Sequence, residues 1–149
     1  MPARPSARGA ETHTLVLDNE AVQVLAEPGH GKHWAVLRFI EAAATRNRRR
    51  AGAVALLAPT VVRVEAGLDR RAATTVSLAR LRVDDAALDT ARANRAAALR
   101  PAGGSTVDVC VAEVAASVAA GKVTVLTADF SDIPSLLAAA LSDAVVHRV

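Results

Sequence analysis

Residues Ser105 to Asp129 read STVDVCVAEVAASVAAGKVTVLTAD, and the order of elements inside that stretch decides the fold. Val107, Cys110, Val111, Val114 and Val118 recur at helical spacing, Gly121 is a helix stop, and Val123 to Leu126 is a short apolar run of strand type. Ser105 or Thr106 supplies a side-chain oxygen to cap the helix. Asp108 then falls in the first turn, where exposed amides and the macrodipole favour a carboxylate. Asp129 leaves the C-terminal end of the strand. In a parallel sheet that end is where open α/β folds gather ligands, at the topological switch point.

Outward from this unit, strands and helices alternate along the chain. Thr14 to Leu17 reads as a strand ending at Asp18, and Asn19-Glu20 opens a short helix through Leu25 that Pro28-Gly29 ends. Lys32 to Thr45 reads as an amphipathic helix with Trp34, Leu37, Ile40 and Ala44 on or near one face, leading into a basic connection over Arg46 to Arg50. Ala53 to Leu57 has the length and apolarity of a buried strand, and Pro59-Thr60 starts a helix carrying Val61, Val64, Glu65 and Leu68. Ala72 to Leu81 is expected as helix and Leu81 to Val83 as a third strand, with Asp84 or Asp85 capping a helix to Leu99. Pro101 to Gly104 is the loop that delivers the central unit. Ser131 or Asp132 caps a last helix through Leu141, and Ala144 to Val149 is a final strand. The alternation predicts an α/β three-layer sandwich whose central sheet is mostly parallel.

With 149 residues, 52% of them hydrophobic, the chain suits one well-buried domain, expected over residues 13–149 behind a loosely attached tail at 1–12. No apolar run approaches the roughly 20 residues of a membrane span, and the first residues lack the apolar core of a signal peptide, so a soluble cytoplasmic protein is expected. The single cysteine, Cys110, falls on the apolar face of the central helix and reads as a core thiol. The net charge of +3 comes from arginine, most densely at Arg46 to Arg50, and suits a phosphate-bearing partner. Aromatic residues make up only 2% of the chain, which argues against a base-stacking platform. Gly31-Lys32 lacks the upstream glycine and the following hydroxyl of a phosphate loop.

The acidic residues at element ends are the chemical signal. Asp18 follows the first strand, Glu65 lies in the helix after the second, Asp108 begins the central helix and Asp129 ends its strand. Gathered at one edge of a sheet, such carboxylates raise one another's pKa unless a cation neutralises them. Their all-oxygen character suits Mg²⁺ or Mn²⁺ and not zinc. His13, His30, His33 and His147 show no metal-ligand spacing.

On four segments the chain resembles the PIN domain, and in particular the ribonuclease toxins of VapBC toxin-antitoxin pairs. These are LVLDNEAV (Leu15 to Val22), APTVVRVEAG (Ala58 to Gly67), STVDVCVAEVA (Ser105 to Ala115) and VTVLTADFSDI (Val123 to Ile133). The resemblance spans nearly all of Thr14 to Val149. It implies a metal site of Asp18, Glu65, Asp108 and Asp129, with Thr106 and Thr127 as nearby hydroxyls and Glu20 and Asp132 as accessory acids. Counted back from Gly67, the family's glutamate falls at Arg63 as readily as at Glu65. It further implies Mg²⁺- or Mn²⁺-dependent hydrolysis of RNA, a homodimer, and a small antitoxin that blocks the acidic site. Two other readings stay open: a binding module that keeps the fold without catalysis, and an aspartyl-nucleophile phosphatase, for which Glu20 stands where a second aspartate is wanted. A phospho-accepting signalling domain needs a lysine at the acidic edge, whereas Lys122 precedes its strand.

Overall fold

The computed structural model describes residues 11–69, 71–127 and 130–149. Five strands, β1 (His13–Leu17), β2 (Val54–Pro59), β3 (Asp84–Ala86), β4 (Lys122–Thr127) and β5 (Val145–Arg148), form one sheet in the order β3-β2-β1-β4-β5. Every neighbouring pair is parallel; in β1, Leu15 is in register with Leu56 of β2 and with Thr124 of β4. Three successive residues of β1, Leu15, Val16 and Leu17, are at most 3% exposed. Such a run requires cover on both faces of the sheet.

That cover comes from α1 (Asn19–Ala26), α2 (His33–Arg49), α3 (Thr60–Glu65), α4 (Ala73–Arg80), α5 (Thr90–Leu99), α6 (Thr106–Ala116) and α7 (Ile133–Ala139). The chain steps from β1 to β2 to β3, then returns to the far side of β1 for β4 and β5. Because parallel crossovers are right-handed, the outward and return legs put their helices on opposite faces. The packing agrees. On the outward leg α1 touches α2 and α4, and α2 touches β2; on the return leg α6 lies against β1, β2 and β4 with α5 and α7 beside it. The expected three-layer α/β sandwich is the observed one, and the reversal falls between β1 and β4.

Several local expectations are corrected. The buried face of α2 is His33, Val36, Ile40 and Ala43, while Trp34 is 62% exposed. Arg46 to Arg49 are the last turn of that helix and not a connection, where cations complement the carbonyl end of the macrodipole. Leu81 to Val83 form a reversal after α4, and the third strand comes later, at Asp84–Ala86. Asp84 and Asp85 therefore pair with β2, and Asp89 caps α5 by accepting the Arg92 amide at 2.8 Å. α6 stops at Ala116, before Gly121, whose φ of +86° brings the chain against Thr12 so that the Lys122 amide donates to the Thr12 carbonyl. α7 ends at Ala139, short of Leu141.

The central helix is buried nearly all round, from Val107 to Ala115, because it is sandwiched between the sheet, α5 and α7. A helix in that position carries no polar stripe. Its one charged residue on the buried surface, Glu113, is 3% exposed and meets Arg92 Nη1 at 2.9 Å, Arg95 Nε at 2.8 Å and the Ser117 hydroxyl at 2.6 Å. Cys110 beside it is buried; desolvation and the Glu113 charge push its thiol pKa up, so it stays a protonated core group.

Candidate functional site

Asp18 stands at the carboxyl end of β1, at the point where the strand order reverses. It is 5% exposed and caps α1 with an extended backbone, its Oδ1 accepting the Asn19 amide at 2.6 Å. Its Oδ2 accepts the Thr127 hydroxyl at 2.7 Å, and its own amide donates to the Leu126 carbonyl at 3.0 Å. Thr127 is fully buried as the last residue of β4. The last residue of β4 and the first amide of α1 thus orient one carboxylate at the reversal, where α/β sheets form ligand sites.

Asp108 arrives from the other layer. It belongs to a capping box, with the Asp108 amide donating to Ser105 Oγ at 3.1 Å and the Ser105 amide donating to Asp108 Oδ2 at 2.7 Å. The cap is Ser105, and Thr106 is the exposed first residue of the helix. At about 1.5 Å per residue α6 is about as long as the sheet is tall, and its C-terminal end leads by a short loop to the start of β4. Its N-terminus therefore lies toward the carboxyl edge, with Asp108. Gly104, at φ +78°, brings the chain so close that an added Cβ would sit 2.8 Å from Leu136 Cδ1 and 3.1 Å from Asp108 Cβ.

The remaining expected residues are placed less centrally. Glu65 is the exposed last residue of α3. Two positions earlier, Arg63 holds Asp85 of β3 with two hydrogen bonds, Nε at 2.7 Å and Nη2 at 3.0 Å. Glu20 is half-buried in the first turn of α1, and Asp132 is exposed at the cap position of α7 without a side-chain cap bond. Asp129 lies outside the described residues. Among the described residues no group of three or more His, Cys, Asp or Glu stands together as a metal site.

One atom escaped the reading of the sequence. Asn19 Oδ1 is buried without a hydrogen-bond partner among the described residues, a state that costs about 1–3 kcal/mol unless something fills it. It is a neutral oxygen next to the Asp18 carboxylate in the chain. Asn19, Asp18 and Asp108 each offer oxygen donors, the chemistry that suits a hard divalent cation. The signal in the sequence was its position after the strand-ending aspartate; asparagine there is equally at home as a plain helix residue, so the type alone did not reveal it.

No family model matches the chain, and no curated protein matches it. Among solved structures, the chain is similar to VapBC2 from Rickettsia felis bound to a DNA fragment from their promoter, with a TM-score of 0.55, 11% sequence identity, and coverage of 91% of this chain and 98% of the other. At that identity the likeness is one of fold, and the fold is the one the four sequence segments suggested.

Proposed function

We propose that the protein is a metal-dependent endoribonuclease that acts as the toxin of a toxin-antitoxin pair. The observation that carries this reading is the buried Asp18 carboxylate, fixed by Thr127 and the first amide of α1 at the reversal between β1 and β4. A carboxylate oriented by hydrogen bonds at the carboxyl edge, beside the reversal of strand order, is placed where α/β sheets hold ligands and is a hard oxygen donor for a divalent cation. Asp18, Asp108 and Asp129 hold Mg²⁺ or Mn²⁺, with Glu65 as the least central contributor and Asn19 Oδ1 as a neutral ligand. When bound, such an ion supplies an acidified water and positive charge at a scissile phosphate. The protein's own part is positional. Thr127 and the Asn19 amide fix the orientation of Asp18, and the capping box fixes Asp108 at the start of α6.

By the same reading the chain works in the cytoplasm as a homodimer, held in check by a small antitoxin. The solved structure that shares its fold is that of VapBC2 bound to a DNA fragment from their promoter. One observation favours the second reading, a binding module without catalysis: Arg63, one of the two positions where the glutamate falls, is committed to Asp85.

Cleavage of a mixed RNA pool separates the two. Mg²⁺- or Mn²⁺-dependent cuts, abolished by EDTA and reduced at least about a hundredfold by Asp108→Asn in a folded variant, are expected of the nuclease. Intact RNA under all conditions, or cuts indifferent to EDTA and to the substitution, would leave the binding module. The side-chain carbonyl that Asp108→Asn introduces still accepts from the Ser105 amide, so the helix cap survives the change.

A further inference from the structure

The opposite edge of the sheet, where the strands begin, carries a cavity of about 410 Å³ between the last turn of α2, the start of β2 and the reversal after α4. Three guanidinium side chains line it, Arg48, Arg80 and Arg82, and among the described residues no acidic one does. All three residues are exposed, and among the described residues none is ion-paired. Two helices, α2 and α4, end here, so some of this charge offsets their carbonyl ends. Each helix end amounts to roughly half a negative charge, about one in total, against three cations in the lining. Arg46 and Arg49 in the same turn of α2 add to the surplus.

The rim is held in place. Asn47 bonds the first residue of β2 both ways, its Nδ2 donating to the Val54 carbonyl and its Oδ1 accepting the Val54 amide, each at 2.8 Å. That fixes the turn bearing Arg48. Arg82 sits at φ +56°, a backbone region that favours glycine. The residue in this glycine-favouring position is an arginine, and it lines the cavity.

We propose that this pocket is a second anchoring point for the phosphate backbone of the RNA, at the edge of the sheet away from the acidic site. The proposal rests on RNA being the substrate. Guanidinium groups pair with phosphate through two parallel hydrogen bonds, and the charge running on past the cavity to Arg46 and Arg49 matches a chain of phosphates better than one small anion. With six residues at about 3.3 Å each, β2 separates the two edges by roughly 20 Å. RNA must span at least that distance to engage both, and backbone contact at the far end holds it without reading bases.

The test measures RNA affinity against salt, in EDTA, with full-length protein carrying Asp108→Asn to prevent cleavage. Beside it stand two charge-matched triples in the same background, R48Q/R80Q/R82Q in the pocket and R38Q/R71Q/R100Q outside it, each confirmed folded by thermal unfolding. Three lost single-strand contacts predict a salt slope shallower by about 2 for the pocket triple, so that between about 50 and 200 mM salt it loses roughly twentyfold less affinity than the parent. The outside triple keeps the parent slope. Arg82→Gly, which suits the backbone there, takes about a third of the effect. Equal slopes for both triples, or a parent slope in the pocket triple, overturn the proposal. Pocket-dependent binding by a chain that never cleaves RNA refutes the nuclease reading alone, and metal-dependent cleavage with unaltered slopes refutes the pocket alone.

Discussion

Gly67, Arg82 and Leu141 occupy the same backbone position, one residue past the caps of α3, α4 and α7, with φ of +64°, +56° and +54°. Each helix closes with the same reversal: Leu68 donates to the Arg63 carbonyl, Val83 to Leu78 and Ser142 to Leu137. Only the first uses glycine. A side chain in this region costs about 1–2 kcal/mol, and glycine gives back about 0.5–1 kcal/mol in unfolded-chain entropy. Arg82→Gly and Leu141→Gly are therefore each expected to raise stability by about 0.5–1 kcal/mol, read as an upward shift in the urea midpoint. Leu141 is the cleaner case, since at 94% exposure it gives up no packing. An unchanged or lower midpoint in Leu141→Gly would contradict the backbone argument. The same scale sets a limit on reading from sequence. Gly67 announces its turn by type, whereas nothing in the letters at Arg82 or Leu141 distinguishes them from helix residues, and the third strand was accordingly expected three residues early.

Between elements, the joint of α5 and α6 depends on one carboxylate. Burial pushes the Glu113 pKa up, but hydrogen bonds from Ser117, Arg95 and Arg92 together outweigh it and hold the pKa below its ordinary value of 4.5. A group depressed on folding stabilises the fold above its unfolded pKa, and that contribution is lost as pH falls below about 4.5 and through the folded value. Glu113→Gln is expected to flatten the acid limb of stability, measured by urea unfolding between about pH 6 and pH 3. An acid limb as steep as the parent's would exclude Glu113 as its source. The two partners are also unequal. Glu113 is 3% exposed whereas the side chains of Arg92 and Arg95 are 26% and 55% exposed. Removing the arginines strands a buried charge, and R92M/R95M is expected to cost about 3 kcal/mol. Glu113→Met leaves two cations that reach water and costs less. The reverse order would contradict the assignment. Spacing in the sequence identified α6 as the central helix but could not single out Glu113, because its partners lie on another helix and only packing brings them together.

For the whole molecule, the direction of chain travel accounts for where chemistry can occur. The outward leg to β3 and the return to β4 put the reversal of strand order between β1 and β4, the position at whose carboxyl edge α/β sheets form ligand sites. Asp18 and Asp108 were legible as candidates because each sits at an element boundary, where the helix start rewards a carboxylate whether or not it has a further use. The basic pocket was not legible as a unit. Arg46 to Arg50 stood out as a run, but Arg80 and Arg82 join Arg48 only because the sheet order sets the end of α4 beside the end of α2. The same alternation that predicted the layers hides such neighbours, since charge at the end of one element carries no mark of the element that will lie beside it.

The account rests on the carboxylates of Asp18 and Asp108 serving a divalent cation, and titration of Mn²⁺ into the purified protein tests this without reference to activity. The parent is expected to bind Mn²⁺, and Asp18→Asn and Asp108→Asn to weaken that binding by about tenfold or more while remaining folded, since asparagine caps α1 as well as Asp18 does and at position 108 its side-chain carbonyl still accepts the Ser105 amide. Mn²⁺ binding of parental strength in both folded variants, or none in the parent, would contradict the account.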